Sequence, residues 1–340
     1  MSAEAPLLET RRLSKHFDVA SGLLSRVSRR APEVLVAVDD VSLTIQRGET
    51  MGLVGESGSG KSTFGRLILQ LHEPTAGDIL FEGQSVLHRG SSQTRELRRR
   101  IQVIFQDPYS SLNPTMSVRQ MLGEALSVHD IVQKPERNDR IADLLERVGL
   151  APELADRRPH QFSGGQRQRI GIARALAVEP EFIVADEAVS ALDVSVQAQV
   201  LNLMMRLQEE LGLTYLFISH NLTVMRHISE HVAVMYLGRI VEQSPTETLF
   251  AEPLHPYTQA LLKAAPKPEP RRRAITPAVP GDIPSPVDRP SGCHFHPRCR
   301  FAMDVCRVEY PAARRVGDAV VACHLYEGEP LPARPDRSIR

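Results

Sequence analysis

Between residues 41 and 265, apolar runs of strand length alternate with amphipathic helical stretches. That alternation predicts an α/β protein built on a largely parallel sheet. FIVAD (182–186) and TYLFIS (214–219) are apolar almost throughout, as a strand covered on both faces must be. SVQAQVLNLMMRLQEELG (195–212) carries its apolar residues at helical spacing and stops on a glycine. TMGLVG (50–55) runs into a glycine-rich turn, and FGRLILQL beyond it is helical again.

The other elements follow in order. Residues 1–17 hold a short apolar stretch ending in KHF, and 18–36 read as an inserted, partly basic loop. VSLTI (41–45), ILFEG and IQVIFQD read as short strands. Residues 115–150 read as helical, with apolar spacing clearest in RIADLLERVGL. After Ala265 the texture changes. PKPEPRRRAITPAVPGDIPSP is too rich in proline for a helix or a sheet interior. The chain therefore divides into a main domain over 1–265, a linker over 266–290 and a small extension over 291–340 that holds all four cysteines.

Composition excludes some classes of function. The 41 basic and 41 acidic residues balance, which gives no argument for a nucleic acid or an acidic surface as partner. The triplets Arg98-Arg99-Arg100 and Arg271-Arg272-Arg273 lack interleaved aromatics and read as solvated faces. Met204 and Met205 read as core packing. No run of about 18 apolar residues is present, so no membrane span is expected. MSAEAPLLETRRL lacks the pattern of a cleaved leader, and a cytosolic location is expected.

GESGSGKST fits G-x-x-x-x-G-K-[ST] between a strand and a helix. Gly55, Gly58 and Gly60 let the backbone curl so that successive N–H groups, through Glu56, Ser57 and Ser59, point inward at phosphates. Lys61 adds a point charge for the outer phosphates. Ser62, followed by Thr63, offers a hydroxyl to Mg²⁺. Asp186 ends an apolar strand where Mg²⁺ would need a carboxylate. Glu187 follows it and is the candidate general base for an attacking water. His220 ends a neighbouring strand. The stretch FSGGQRQRIGIARAL (162–176) opens a good helix with Ser-Gly-Gly. Bare backbone at a helix N-terminus suits an anion, and a phosphate is the candidate.

Together these parts resemble the nucleotide-binding subunits of ABC transporters over about residues 7–265. The resemblance implies a P-loop NTPase of ABC type. Such a fold has a mostly parallel sheet core, a β subdomain, and a helical signature subdomain at about 107–178. Ser163, Gly164, Gly165 and Gln166 match the family signature, with Phe162 in place of the commoner leucine. In the family this helix start faces the γ-phosphate of ATP held by a second, head-to-tail subunit. Gln106 resembles the Q-loop glutamine, which joins Mg²⁺ and the water where the membrane partner docks. Phe17 resembles the aromatic that stacks on adenine, with His16 as its alternative. Asp193 resembles the D-loop acid at the dimer interface, and His220 the switch histidine. Ala188 stands where the family usually has proline, a turn that alanine still permits.

IFQDPYSSLNP, ADEAVSALDVSVQAQVLNLM and HPYTQALLKAAP resemble the ATPase subunits of bacterial dipeptide and oligopeptide importers, a group that includes nickel and glutathione systems. HPYT also reads as simple helix-start chemistry. The resemblance implies ATP hydrolysis on the cytoplasmic side of the cell membrane. It also implies two transmembrane permease subunits, a sister ATPase in a homo- or heterodimer, and an external solute-binding protein. Cys293, Cys299, Cys306 and Cys323 are spaced C-x₅-C-x₆-C-x₁₆-C. The close C-x₂₋₄-C pairs of common zinc sites are absent. A [4Fe–4S] cluster, Zn²⁺ with help from His294, His296 or His324, and four free thiols all stay open on the residues; the resemblance favours the cluster. A soluble ABC ATPase acting on ribosomes or DNA is the rival reading. It usually needs two cassettes or a long coiled coil, whereas here about 100 residues separate Lys61 from Ser163 without one.

Overall fold

The structure is a computed structural model that describes residues 5–19, 33–87, 89–264 and 281–327. Most of the inserted loop and of the proline-rich linker, including Arg271-Arg272-Arg273, lies outside the described residues, as do residues 328–340.

Two sheets organise the chain. The smaller is antiparallel, with strands β1 (Leu8–Val19), β2 (Glu33–Ile45), β4 (Ala76–Phe81) and β5 (Gln84–Ser85) in the order β2-β1-β4-β5. The larger sheet has the order β11-β12-β10-β9-β3-β8-β7-β6. Its strands are β3 (Thr50–Val54), β6 (Ile101–Ile104), β7 (Phe182–Asp186), β8 (Thr214–Ser219), β9 (His231–Tyr236), β10 (Arg239–Pro245), β11 (Ala313–Val316) and β12 (Ala319–Ala322). The segment β6-β7-β8-β3-β9 is parallel throughout. The apolar runs fall where they must, since every residue of β3 and β8 is buried.

Helices α1 (Lys61–Ile68), α2 (Ser91–Arg100), α3 (Pro108–Ser111), α4 (Val118–Val128), α5 (Arg137–Arg147), α6 (Gly164–Leu176) and α7 (Val194–Leu211) lie between these strands. Helices α8 (Leu222–Ile228), α9 (Thr246–Ala251) and α10 (Pro256–Ala264) follow β8, and α11 (Val305–Val308) precedes β11. The helix expected at 195–212 runs one residue earlier. Asp193 caps it through Val196 N–H, and Gly212 ends it with a positive φ. The 115–150 stretch is two helices, α4 closed by a Ser117–Gln120 capping box and α5. Met204 is fully buried, as core packing requires.

The extension is built into the large sheet. β12 pairs with β10 at Glu242↔Val321 and Gln243↔Val320, and β11 pairs with β12. The chain just before it is also docked. Pro286 C=O accepts from Val36 N–H, and Arg289 donates to Asp39, which Arg239 also holds. Of the basic triplet 98–100, only Arg98 is a solvated residue. Arg99 faces Glu179, and Arg100 pairs with Glu181 and with Glu82 at 2.6 Å.

Candidate functional site

The parallel register brings four strand ends to one edge. Val54 lies opposite Ser219, Asp186 opposite Ile218, and Ile104 opposite Ala185. Gly55, Glu187, His220 and Gln106 follow within two residues of those ends, so residues far apart in sequence share one rim. A cleft of about 410 Å³ opens there, lined by Gly55, Glu56, Ser57, Glu187, His220 and Leu261.

Steric need explains two loop glycines. A Cβ on Gly55 would overlap Met235 C=O, and one on Gly60 would overlap Ala37 C=O. Gly60 also has φ 103° and caps α1 without a side-chain hydrogen bond, leaving the N–H groups of that helix start for a ligand. Lys61 is buried. Its Nζ donates to Gly55 C=O and Glu56 C=O, both at 2.8 Å, and to Ser59 Oγ at 3.3 Å. Burial lowers the Lys61 pKa, and Glu187, Asp186 and Glu56 pull against that shift. Ser57 and Gly58 are exposed at the loop tip, and Ser62 and Thr63 enter α1 half-buried.

Ser62 Oγ donates to Asp186 Oδ1 at 2.9 Å. Burial raises the Asp186 pKa, against the pull of that hydrogen bond and of Arg66. A half-buried carboxylate beside a hydroxyl suits a hard divalent cation, so these oxygens fit Mg²⁺. Glu187 has φ 49°, a twist that a non-glycine residue takes only under constraint. Its N–H donates to Ile218 C=O, its C=O accepts from Ser190 N–H, and its Oε1 meets His220 Nδ1. Ala188 is buried in the turn.

Ser163 and Gln166 form a capping box on α6. The two glycines of this helix start differ in their surroundings. Gly164 is exposed, but a Cβ on Gly165 would overlap Val196 Cγ1 in the first turn of α7. Gly165 is thus required by helix packing. That contact sets the signature beside exposed Asp193, whose carboxyl is held below its ordinary range by hydrogen bonds from Val196 N–H and Ser195. Phe162 is buried in the core, as the commoner leucine would be. Gln106 is exposed beyond β6. Phe17 is half-buried, with His72 edge-on at 5.5 Å and Lys15 Nζ 5.0 Å from its ring centre, while His16 is exposed.

Sequence reasoning missed two residues. Tyr257, in the HPYT stretch, accepts from Glu56 N–H through its hydroxyl at 2.8 Å. Arg298 donates to both carboxylate oxygens of Glu56. Neither lies near the loop in sequence, so no local motif announces them.

The four cysteines lie within one another's electrostatic reach. Burial pushes the Cys323 thiol up to about 12 and Cys293 up to about 11, with the other sulfurs adding to the shift, and Cys299 rises for the same reasons. Among the described residues, no group of three or more His, Cys, Asp or Glu side chains is placed to hold a metal ion. That finding supports neither the [4Fe–4S] cluster nor the Zn²⁺ alternative. His324 is engaged with Glu327 and Glu309 C=O, and His296 with Cys293 C=O.

The ABC transporter family model matches residues 38–190, and that of the oligopeptide/dipeptide transporter C-terminal region matches residues 241–306. A probable peptide ABC transporter ATP-binding protein of Sinorhizobium fredii is 51% identical over 320 residues, covering 94% of this chain and 90% of its own. The oligopeptide transport ATP-binding protein AppF of Bacillus subtilis is 50% identical over 326 residues, covering 94% and 97%. Among solved structures, cbiO1 of Clostridium perfringens, part of the ABC transporter complex cbiONQ, aligns with a TM-score of 0.62 at 26% identity, over 73% of this chain and 92% of that one. A dimeric post-hydrolysis state of the ATP-binding cassette MJ0796, bound to ADP and Pi, aligns with a TM-score of 0.60 at 27% identity, over 70% and 98%. Among the described residues, no helix is long and apolar enough to cross a membrane.

Proposed function

The chain belongs to the ABC transporter ATP-binding family and is an ATPase of that type, and we propose that it powers an importer of peptides. One observation carries the catalytic part: the phosphate-type loop, Asp186, Glu187 and His220 share one strand edge. The names of its relatives and the matched C-terminal region support peptides as the cargo.

In this reading the N–H groups of Gly55–Thr63 and the Lys61 ammonium hold the outer phosphates of ATP. Ser62, Gln106 and Asp186 hold Mg²⁺, which when bound neutralises phosphate charge. Glu187 accepts the proton of the attacking water, and His220 holds the terminal phosphate beside it. Phe17 or His16 stacks on adenine. Ser163–Gln166 and Asp193, two exposed helix starts packed together, face the ATP held by a second ATPase subunit. The same reading divides the chain into an ATP-binding domain (1–265, helical part 107–178), a linker (266–290) and the extension (291–340). Two permeases dock on the pair at the cytoplasmic face of the membrane, and an external solute-binding protein supplies cargo.

For the cysteines the same reading assigns a [4Fe–4S] cluster, which holds its thiolates farther apart than a single ion does. The support for it is in the sequence, where all four cysteines of the chain fall within the extension. Iron and labile-sulfide analysis after anaerobic purification tests this, with Cys323→Ser as control.

Affinity purification from host membranes, with ATPase assay of the native protein and Glu187→Gln, tests the whole. Two co-purifying permeases and activity lost in the variant are expected. Recovery of ribosomes or DNA in their place would remove the transporter while leaving the ATPase.

A further inference from the structure

We infer that Arg298 is a positioning residue for the phosphate loop, holding Glu56 in place and cancelling a carboxylate that would otherwise repel an incoming polyphosphate. The inference rests on the reading that Gly55–Thr63 holds nucleotide phosphates.

Glu56 is fixed from three sides. Its N–H donates to Tyr257 Oη at 2.8 Å, and its C=O accepts from Lys61 Nζ at 2.8 Å. Its carboxylate takes two hydrogen bonds from Arg298, at 2.7 and 3.0 Å. Two-point contact between a planar guanidinium and a carboxylate fixes orientation as well as distance. The Arg298 side chain is 4% exposed and that of Glu56 21%, so the cation has almost no water to fall back on. It is gripped further by Tyr236, whose hydroxyl accepts from Nη1 at 3.4 Å.

Charge explains why the pair belongs at this position. Lys61 is the loop's ammonium, and Glu56 is one of the three acids that act on it. An unpaired Glu56 carboxylate would set a negative charge at the rim that must receive an anion. Arg298 neutralises it without entering the cleft, whose lining includes Glu56 but not Arg298. The arginine comes from the extension, carried by the docking of Phe295 against Tyr236 and Tyr257 at ring distances of 5.3 and 5.4 Å.

The test uses the full chain and a fluorescent ATP analogue, with a thermal melt of each variant. Wild type is expected to bind and Lys61→Ala to lose binding; if Lys61→Ala binds normally, the loop is not the phosphate site and the inference falls with that reading. With the site established, Arg298→Gln is expected to weaken binding about tenfold or more. Arg298→Lys is expected to restore part of it, and Glu56→Gln added to Arg298→Gln to restore most of it. Wild-type affinity in a folded Arg298→Gln overturns the inference. So does a double variant no better than the single, because the pair would then only fasten the extension. Should Arg298→Gln fail to fold, Arg298→Lys decides, and wild-type affinity there overturns the inference.

Discussion

Oε1 of Glu187 lies 3.1 Å from Nδ1 of His220, across the ends of two adjacent parallel strands. The Glu187 backbone is held by Ile218 from the same neighbouring strand, so one β8 register sets both the base and its partner. Glu187→Gln keeps the shape but removes the proton acceptor. ATP turnover, read as phosphate release, is expected to fall by about 10²–10⁴-fold with nucleotide affinity retained.

Gly165 and Gly164 separate packing from ligand contact. Gly165→Ala drives a methyl into Val196 and is expected to cost about 1–3 kcal/mol in urea denaturation. Gly164→Ala meets Leu192 at an ordinary 3.5 Å, so its stability should change by less than about 0.5 kcal/mol. Loss of ATPase activity in Gly164→Ala without loss of stability would mark the exposed glycine as the ligand-facing one.

His255 gives a pH dependence. It is buried, its Nδ1 accepts from Tyr257 N–H, and burial lowers its pKa to about 3. Unfolded, it titrates near 6.5, so between those values the unfolded chain binds a proton that the folded one does not, and stability rises with pH. The contribution is complete above about pH 6.5 and is lost as pH falls toward 3. His255→Asn keeps an acceptor for Tyr257 N–H but does not titrate. On going from pH 7 to pH 5, wild type is expected to lose about 2 kcal/mol more than this variant in denaturant titrations.

Phe295 is 2% exposed among Tyr236, Tyr257 and His255. Phe295→Ala is expected to cost about 3–5 kcal/mol in the same assay. An extension merely tethered by a linker would show no such loss in the main unfolding transition.

The legible parts of the molecule are those whose physics is local. FIVAD and TYLFIS coincide with β7 and β8 because a strand buried on both faces leaves a continuous apolar run. The loop from Gly55 to Thr63 is legible because its glycines, lysine and serine act within nine consecutive residues. What pairs at long range leaves no such mark. Arg100 reads as a solvated charge until the fold sets Glu82 and Glu181 beside it. The packing need at Gly165 is invisible until α7 is set against it. The Val320↔Gln243 pairing, which binds the extension to the sheet, joins two stretches with no shared signal.

Arg298 reaches Glu56 across 242 residues of chain. A ribosome adding about 5–20 residues per second needs roughly 12–50 s to cover that span. For that interval the nascent chain carries a phosphate loop whose second residue bears an unmatched negative charge. On the inference above, the loop reaches its full affinity only once residue 298 has been made, and a chain cut short before Arg298 keeps the loop but lacks the cation that matches Glu56.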